Sequence, residues 1–428
     1  MKLKNAAAVA MATLMLAPSC VFASDVYIAG DSTACEYGED EKYALPRGGW
    51  GMYLDEFMAD GVNVVNCAKS GRSSKSLVVE DEYKKIFDNI KEGDYLLIQF
   101  GHNDAKNTKP EDIELRYTEP EGDKDTAGSF KNSLYVNYIK PALDKGAKPV
   151  LLTPISRRKF DEGGRITDSH GRYDDAIREL AEELNILCID MTEVTSVLYD
   201  SYGENGTKLF HAVFADTSKG IDNTHLNRVG AEYVASLVAD EAMKYDADGL
   251  GSLVDESALI ADQKYITRGE FTADIVRMLA IDTKAEDNFA DVKTDDVNYE
   301  AIAVAKAAGI VNGNEKGQFM SDELLTLQDM YVITARALEY KGVLKVQESD
   351  SAEGCFNNLS PYAKAGAATL MDAGMLDNLR LMSSLVDGKR NVSGFDTVPM
   401  LVSAYEKNVE AQQAATEEIS LDELEKVE

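Results

Sequence analysis

Val26-Tyr27-Ile28-Ala29-Gly30-Asp31-Ser32-Thr33 is the stretch on which the reading of the N-terminal half turns. Four apolar residues run without a break and stop at Gly-Asp-Ser, the form of a strand that is buried on both faces and ends in a turn. The form recurs at Val62-Asn63-Val64-Val65, at 95–100 (Tyr-Leu-Leu-Ile-Gln-Phe), at Val150-Leu151-Leu152-Thr153 and at Leu187-Cys188-Ile189. Each run meets Gly, Asn, Asp or Pro soon afterwards. Between the runs, segments such as 129–145 and 172–185 repeat apolar residues every three or four positions, the helical period. Strand and helix in alternation predict right-handed crossovers and an α/β fold with a doubly wound, mainly parallel five-stranded sheet. Functional residues are then expected at the carboxyl ends of the strands.

Downstream of Tyr245 the texture changes. Residues 246–252 (Asp-Ala-Asp-Gly-Leu-Gly-Ser) read as a polar linker, and beyond it short Ala-rich helices replace the strand runs. Ile266–Leu279 aligns with Leu325–Leu338 at an offset of 59, and 392–401 is a weaker echo. Between these lie two further similar segments, 299–310 and 365–375. Repeats of this length are supersecondary units that bury a core only against their neighbours. From Lys407 onward seven acids stand against two bases, the composition of a solvated tail. The expected organisation is a leader at 1–23, an α/β domain at 24–246, a linker at 247–262, mainly α-helical repeats at 263–408 and an acidic tail at 409–428.

The whole chain has 428 residues, 44% hydrophobic and 28% charged, an ordinary composition for globular domains. Its net charge of −31 argues against nucleic-acid binding by phosphate neutralisation. The N-terminus carries Lys2 and Lys4, an apolar stretch and the small-x-small site Val21-Phe22-Ala23, which reads as a secretory signal. Its removal leaves a charge of −33 and no run long enough to span a membrane. Lipidation at Cys20 is the weaker reading, because 17–19 (Ala-Pro-Ser) is a poor approach to a lipidated cysteine. Cys35, Cys67, Cys188 and Cys355 remain, too few for a disulfide framework and without the paired spacing of a zinc site. They are expected to be mostly free and buried.

Four short motifs carry the candidate chemistry. Ser32 stands at the end of the first run, where a nucleophile would be exposed, although Thr33-Ala34-Cys35-Glu36 also fits a helix capping box. Asp222 and His225 are three residues apart; on a helical turn the carboxylate would orient the imidazole and stabilise its charge. The alternative is a first-turn aspartate beside a surface histidine. The loops after the second and third runs, with Gly71 and with Gly101-His102-Asn103-Asp104, are plausible turns. Together they offer a backbone N–H and a side-chain amide, the donors an oxyanion needs. Nucleophile, base, orienter and oxyanion donors all following strands form one site by the usual criteria.

These blocks, Gly30-Asp31-Ser32, Gly71, Gly101-x-Asn103-Asp104 and Asp222-x-x-His225, resemble those of the SGNH (GDSL-type) hydrolases, whose fold is flavodoxin-like. The longer strings at 30–35, 48–51, 70–76 and 100–104 are similar to the rhamnogalacturonan acetylesterase group, carbohydrate esterase family twelve, over about residues 25–245. The resemblance implies a secreted enzyme that removes O-acetyl groups from plant cell-wall polysaccharide, pectin or rhamnogalacturonan first. In it Ser32 is the nucleophile, His225 the base and Asp222 its orienter. Ser32 N–H, Gly71 N–H and the Asn103 amide form the oxyanion hole. No cofactor and no metal enter that chemistry, and activity should rise with pH as His225 loses its proton. His102 and Asp104 are read as fixing their loop. Lys69, Arg72, Lys75 and His170 are candidate substrate contacts, the cations being suited to uronate carboxylates; a structural place is expected for His211. An acetylxylan or general SGNH esterase or lipase is the alternative, and a catalytically silent wall-associated binding protein a second one.

The C-terminal half resembles S-layer homology repeats. Residues 267–271 (Thr-Arg-Gly-Glu-Phe) match their signature, and 289–292, 309–313 and 317–319 the body of a unit. The resemblance implies attachment to a cell-wall polymer, with Arg268 as the contact. Leu327 and Gly394 stand where the second and third units would carry that arginine.

Overall fold

Five of the apolar runs pair side by side because each is apolar on both faces and must be covered on both. In this computed structural model, which describes residues 24–247, 249–260, 265–347, 358–376 and 387–425, they form strands β1 (Val26–Gly30), β3 (Val64–Asn66), β4 (Tyr95–Gln99), β5 (Lys148–Leu152) and β6 (Cys188–Ile189). Side chains at 260 and 417–425 are not described. The strand order is β3-β1-β4-β5-β6, all neighbours parallel, with Val26 opposite Tyr95 and Gly30 opposite Gln99. This is the expected doubly wound sheet, and its order reverses between β1 and β4, where such sheets open a crevice.

Alternation along the strands divides the core. Tyr27, Ala29, Leu96, Ile98 and Leu151 face α1 (Asp81–Asn89), α3 (Phe130–Leu134), α4 (Lys140–Asp144) and α5 (Arg172–Leu184), through Ile86, Phe130, Ala142 and Leu180 among others. A short α2 (Pro110–Leu115) lies between α1 and α3 in the chain. Val26, Ile28, Leu97, Val150 and Ile189 lie in the other cluster, with Tyr199 of α6 (Met191–Gly206) and Val234 and Val238 of α7 (Arg228–Tyr245).

A second sheet was not expected. β2 (Tyr43–Leu45), β7 (His211–Phe214) and β8 (Ile221–Leu226) pair antiparallel in the order β2-β7-β8. In β8 the inward positions are Asp222, Thr224 and Leu226, so two polar residues occupy the buried face and the apolar alternation that marks a strand is lost.

The expected linker is not a free tether. Leu250 and Gly251 are buried in a 3-10 turn, Leu250–Leu253, that packs on α7, and α8 (Glu256–Ile260) follows. Three like units come next. α9 (Arg268–Met278), α11 (Leu327–Tyr340) and α13 (Gly394–Glu425) start at equivalent places, the first two capped by Thr267 and Thr326; α10 (Tyr299–Ala307) and α12 (Pro361–Asp372) pack on α9 and α11. The extended residues before the three helices close a ring: Leu325 N–H donates to Ile266 O at 2.8 Å, Val392 N–H to Leu325 O at 3.0 Å and Ile266 N–H to Val392 O at 3.0 Å. Ile266, Leu325 and Val392 are all buried. The segment expected as a solvated tail from 409 continues α13 up to residue 425 and has Val409 packed on the core.

The ring of helices docks on the second sheet. α9 packs against β2, Phe395 sets its ring edge-on to Tyr233 at 5.7 Å, and Lys208 pairs with Glu406 at 2.5 Å. No helix among the described residues is long and apolar enough to cross a membrane. Cys35 and Cys67 are free and buried and Cys188 is free and half-buried; the leader 1–23 with Cys20, linker residues 261–262 and Cys355 lie outside the described residues.

Candidate active site

Ser32 follows β1 directly, on a turn rather than at a helix start. The capping box read at 33–36 does not form. Instead Asp31, fully buried, accepts hydrogen bonds from Thr33 N–H and Thr33 Oγ at 2.9 Å each and shapes the turn. Tyr37 Oη donates to Ser32 O at 2.6 Å, Trp50 Nε1 donates to Gln99 Oε1 at the end of β4, and Thr33 Oγ lies 3.1 Å from that same oxygen. The nucleophile turn is thereby tied to the neighbouring strand.

Asp222 and His225 lie on β8, not on a helical turn. Their contact comes from a local turn: Asp222 Oδ1 accepts from Thr224 N–H at 2.7 Å and from His225 N–H at 3.0 Å, which leaves Oδ2 2.8 Å from His225 Nδ1. His225 Nε2 stands 3.1 Å from Ser32 Oγ. Hydroxyl, imidazole and carboxylate are therefore in line across 193 positions of sequence. Burial pushes the Asp222 carboxyl up, but the hydrogen bond and charge of His225 and the Thr224 N–H hold it below the usual carboxylate range. Tyr43 Oη adds a donor to Asp222 Oδ2 at 2.8 Å. An ionised carboxylate with fixed donors keeps the imidazole in one tautomer, with Nε2 facing the hydroxyl.

The two loops expected to supply oxyanion donors are locked to each other. Asn103 Nδ2 donates to Arg72 O at 2.9 Å, beside Gly71. Asp104, fully buried, accepts from Ser74 Oγ at 2.6 Å, from Ser74 N–H at 3.2 Å and from Thr118 Oγ at 3.1 Å. Burial pushes its carboxyl up to about 7 against these bonds. Gly101 has φ 142° and a Cβ there would lie 3.0 Å from Pro154 Cγ; Gly71 has φ 75°. Both glycines serve turns that L side chains rarely adopt.

Several other candidate contacts have partners within the fold. Lys69 Nζ lies 2.9 Å from Glu82 and 3.0 Å from Glu80, and Arg72 Nε 2.6 Å from Glu80, so acids at the start of α1 pair with both cations. Lys75 is exposed and reaches only Ile113 O, at 3.4 Å. His170 is buried, its Nε2 2.9 Å from His102 Nδ1. Arg268 donates to Asp329 at 2.8 Å and to Phe319 O at 3.1 Å, a strut between two repeat units rather than a free cation.

Arg157 was missed. It follows β5, is half-buried, donates to Thr224 Oγ and places its charge where it acts on both Asp31 and Asp222. The signal available was its position two residues after Ile155, in the loop beyond a strand end where functional residues gather. Tyr43 and Gln99 carried no comparable signal.

Known proteins are similar to this chain in two regions. The family described as GDSL-like lipase/acylhydrolase matches residues 26–238, and the S-layer homology domain matches residues 288–330. The rhamnogalacturonan acetylesterase RhgT of Bacillus subtilis (strain 168) is 40% identical over 223 residues, 50% of this chain and 88% of that protein. The probable rhamnogalacturonan acetylesterase YesY of the same organism is 37% identical over 218 residues, 51% of this chain and 91% of that one. The solved structure of Bacillus subtilis YxiM is 28% identical, with a TM-score of 0.43 over 53% of this chain and 58% of that one. With identity at this level across nearly all of a relative's length, the chain belongs to the GDSL-like lipase/acylhydrolase family and is a carboxylic ester hydrolase, joined to an S-layer homology domain.

Proposed function

We propose that the protein is a secreted, cell-wall-anchored acetylesterase that removes O-acetyl groups from rhamnogalacturonan by a Ser-His-Asp mechanism. The observation that carries the mechanism is the 3.1 Å contact of Ser32 Oγ with His225 Nε2, backed by the 2.8 Å contact of His225 Nδ1 with Asp222. Two relatives named as rhamnogalacturonan acetylesterases support the substrate.

Ser32 Oγ attacks the acetyl carbonyl carbon while its proton passes to His225 Nε2. The carbonyl oxygen becomes an oxyanion and accepts from Ser32 N–H, Gly71 N–H and the Asn103 hydrogen not given to Arg72 O. Asp222 stabilises the imidazolium without taking its proton. As the intermediate collapses, the bond to the sugar oxygen breaks and His225 protonates that oxygen. Water, deprotonated by His225, then attacks acetyl-Ser32; the bond to Ser32 Oγ breaks, His225 returns the proton to that oxygen, and acetate leaves.

Acetate release from acetylated rhamnogalacturonan, pectin and xylan, measured side by side with Ser32→Ala as control, tests this reading. Rhamnogalacturonan should turn over fastest and Ser32→Ala should be inactive; near wild-type turnover in that variant would end the mechanism. Wall attachment rests on the S-layer homology match at 288–330, and co-sedimentation of the full chain with purified cell walls checks it. A chain that stays in the supernatant is not wall-bound.

A further inference from the structure

Behind the oxyanion loop, at the start of α5, three ligand-type side chains converge: Asp168, His170 and Asp174. One atom of each lies within 4.8 Å of the others. His170 Nδ1 stands 3.8 Å from Asp174 Oδ2. The side chains of His170 and Asp174 are 1% and 3% exposed, yet His170 Nδ1 and Asp174 Oδ1 have no hydrogen-bond partner among the described residues. Buried polar atoms are nearly always satisfied, so two orphans on adjoining buried side chains need an explanation. They are two good ligand atoms that a bound species would join.

The remaining bonds leave those atoms free to ligate. Asp168 Oδ1 is occupied, accepting from His170 N–H and Gly171 N–H at 2.9 Å each, which leaves its second oxygen. The other ring nitrogen of His170 is 2.9 Å from His102 Nδ1. If His170 Nε2 carries the proton and donates it to His102, Nδ1 is a bare lone pair turned toward Asp174. That is the usual arrangement of a metal-bound imidazole, whose second nitrogen is fixed by an outer partner. The 3.8 Å separation of Nδ1 and Oδ2 suits two ligands at about 2.1 Å from one ion, at an angle of roughly 130°. Asp168, the exposed member, has an atom within 4.8 Å of the other two and rotates inward to share the ion.

We propose that Asp168, His170 and Asp174 bind one divalent ion of the zinc class, completed by water, as a structural site that fixes His170 against His102 and so steadies the loop that presents Asn103. An imidazole among the donors favours Zn2+ over Mg2+ or Ca2+, which prefer oxygen alone. The chemistry at Ser32 is not routed through this ion.

The full chain, stripped with chelator and returned to chelator-free buffer, is titrated with Zn2+, and separately with Mg2+ and Ca2+, by calorimetry. One Zn2+ per chain is expected, with no saturable Mg2+ or Ca2+ binding. His170→Ala and Asp174→Asn should each weaken Zn2+ at least tenfold. Asp168→Asn keeps an oxygen for the two N–H groups, so it tests the site even where the buried variants fail to fold, and it should also weaken Zn2+ about tenfold. Co2+ in place of Zn2+ should give a visible d–d spectrum that the variants lose. Absence of stoichiometric Zn2+ binding, or the same isotherm in Asp168→Asn as in wild type, overturns the site; the latter places the ion elsewhere on an acidic surface.

Discussion

Asn103 gives one of its two amide hydrogens to Arg72 O, and that bond aims the other. On the proposed mechanism, Asn103→Ala removes one oxyanion donor and should cost about 3–4 kcal/mol of transition-state stabilisation. In kinetics this is a fall of about two to three decades in kcat with KM little changed. A loss confined to KM would place Asn103 in ground-state binding instead. His211 poses a different question, being fully buried with neither ring nitrogen hydrogen-bonded among the described residues. Burial pushes it down to about 3; the charges of Arg158 and His225 add to that, and Asp222 opposes it. An unfolded imidazole titrates near about 6.5, so between these values the unfolded chain binds the extra proton and stability falls as pH falls. Denaturant titrations of wild type and His211→Phe should therefore diverge, the wild type losing about 1.6 kcal/mol relative to the variant between pH 6.5 and 5. A difference that is flat in pH would mean His211 is already satisfied.

Among the elements, the turns after strands carry most of the site. Gly101→Ala would put a Cβ 3.0 Å from Pro154 at φ 142°, and strain of this kind costs about 1–3 kcal/mol. Melting temperature and kcat should fall together, because the same turn presents Asn103; an unchanged kcat would detach the turn from the chemistry. The five parallel strands were legible because covering on both faces makes each an unbroken apolar run. β8 was not, since its inward positions are Asp222 and Thr224. The pairing of Asp222 with His225 was legible from spacing alone, but the helical turn was the wrong cause: Asp222 Oδ1 bends the strand by taking two N–H groups. The partners of charged residues were least legible: Lys69 and Arg72, read as suited to uronate carboxylates, are paired by Glu80 and Glu82, some ten residues on.

For the molecule as a whole, the helical ring and the α/β part share one continuous apolar cluster, which includes Phe210 and Val229 on one side and Val398 and Tyr405 on the other. Phe395 sits at this junction against Tyr233 and Phe210. Phe395→Ala removes about 1.5–3 kcal/mol of apolar burial there. Calorimetry should show a single melting transition in wild type and two in the variant; one transition in both would mean that the junction is held elsewhere. The surface receiving the ring includes β2, an edge of the sheet whose strand β8 bears His225. The closed circuit of Ile266, Leu325 and Val392 has a consequence in time. The last of the three to leave the ribosome completes the pairing of the first, so each nascent copy carries open, aggregation-prone strand edges for some seventy codons after Leu325 is made.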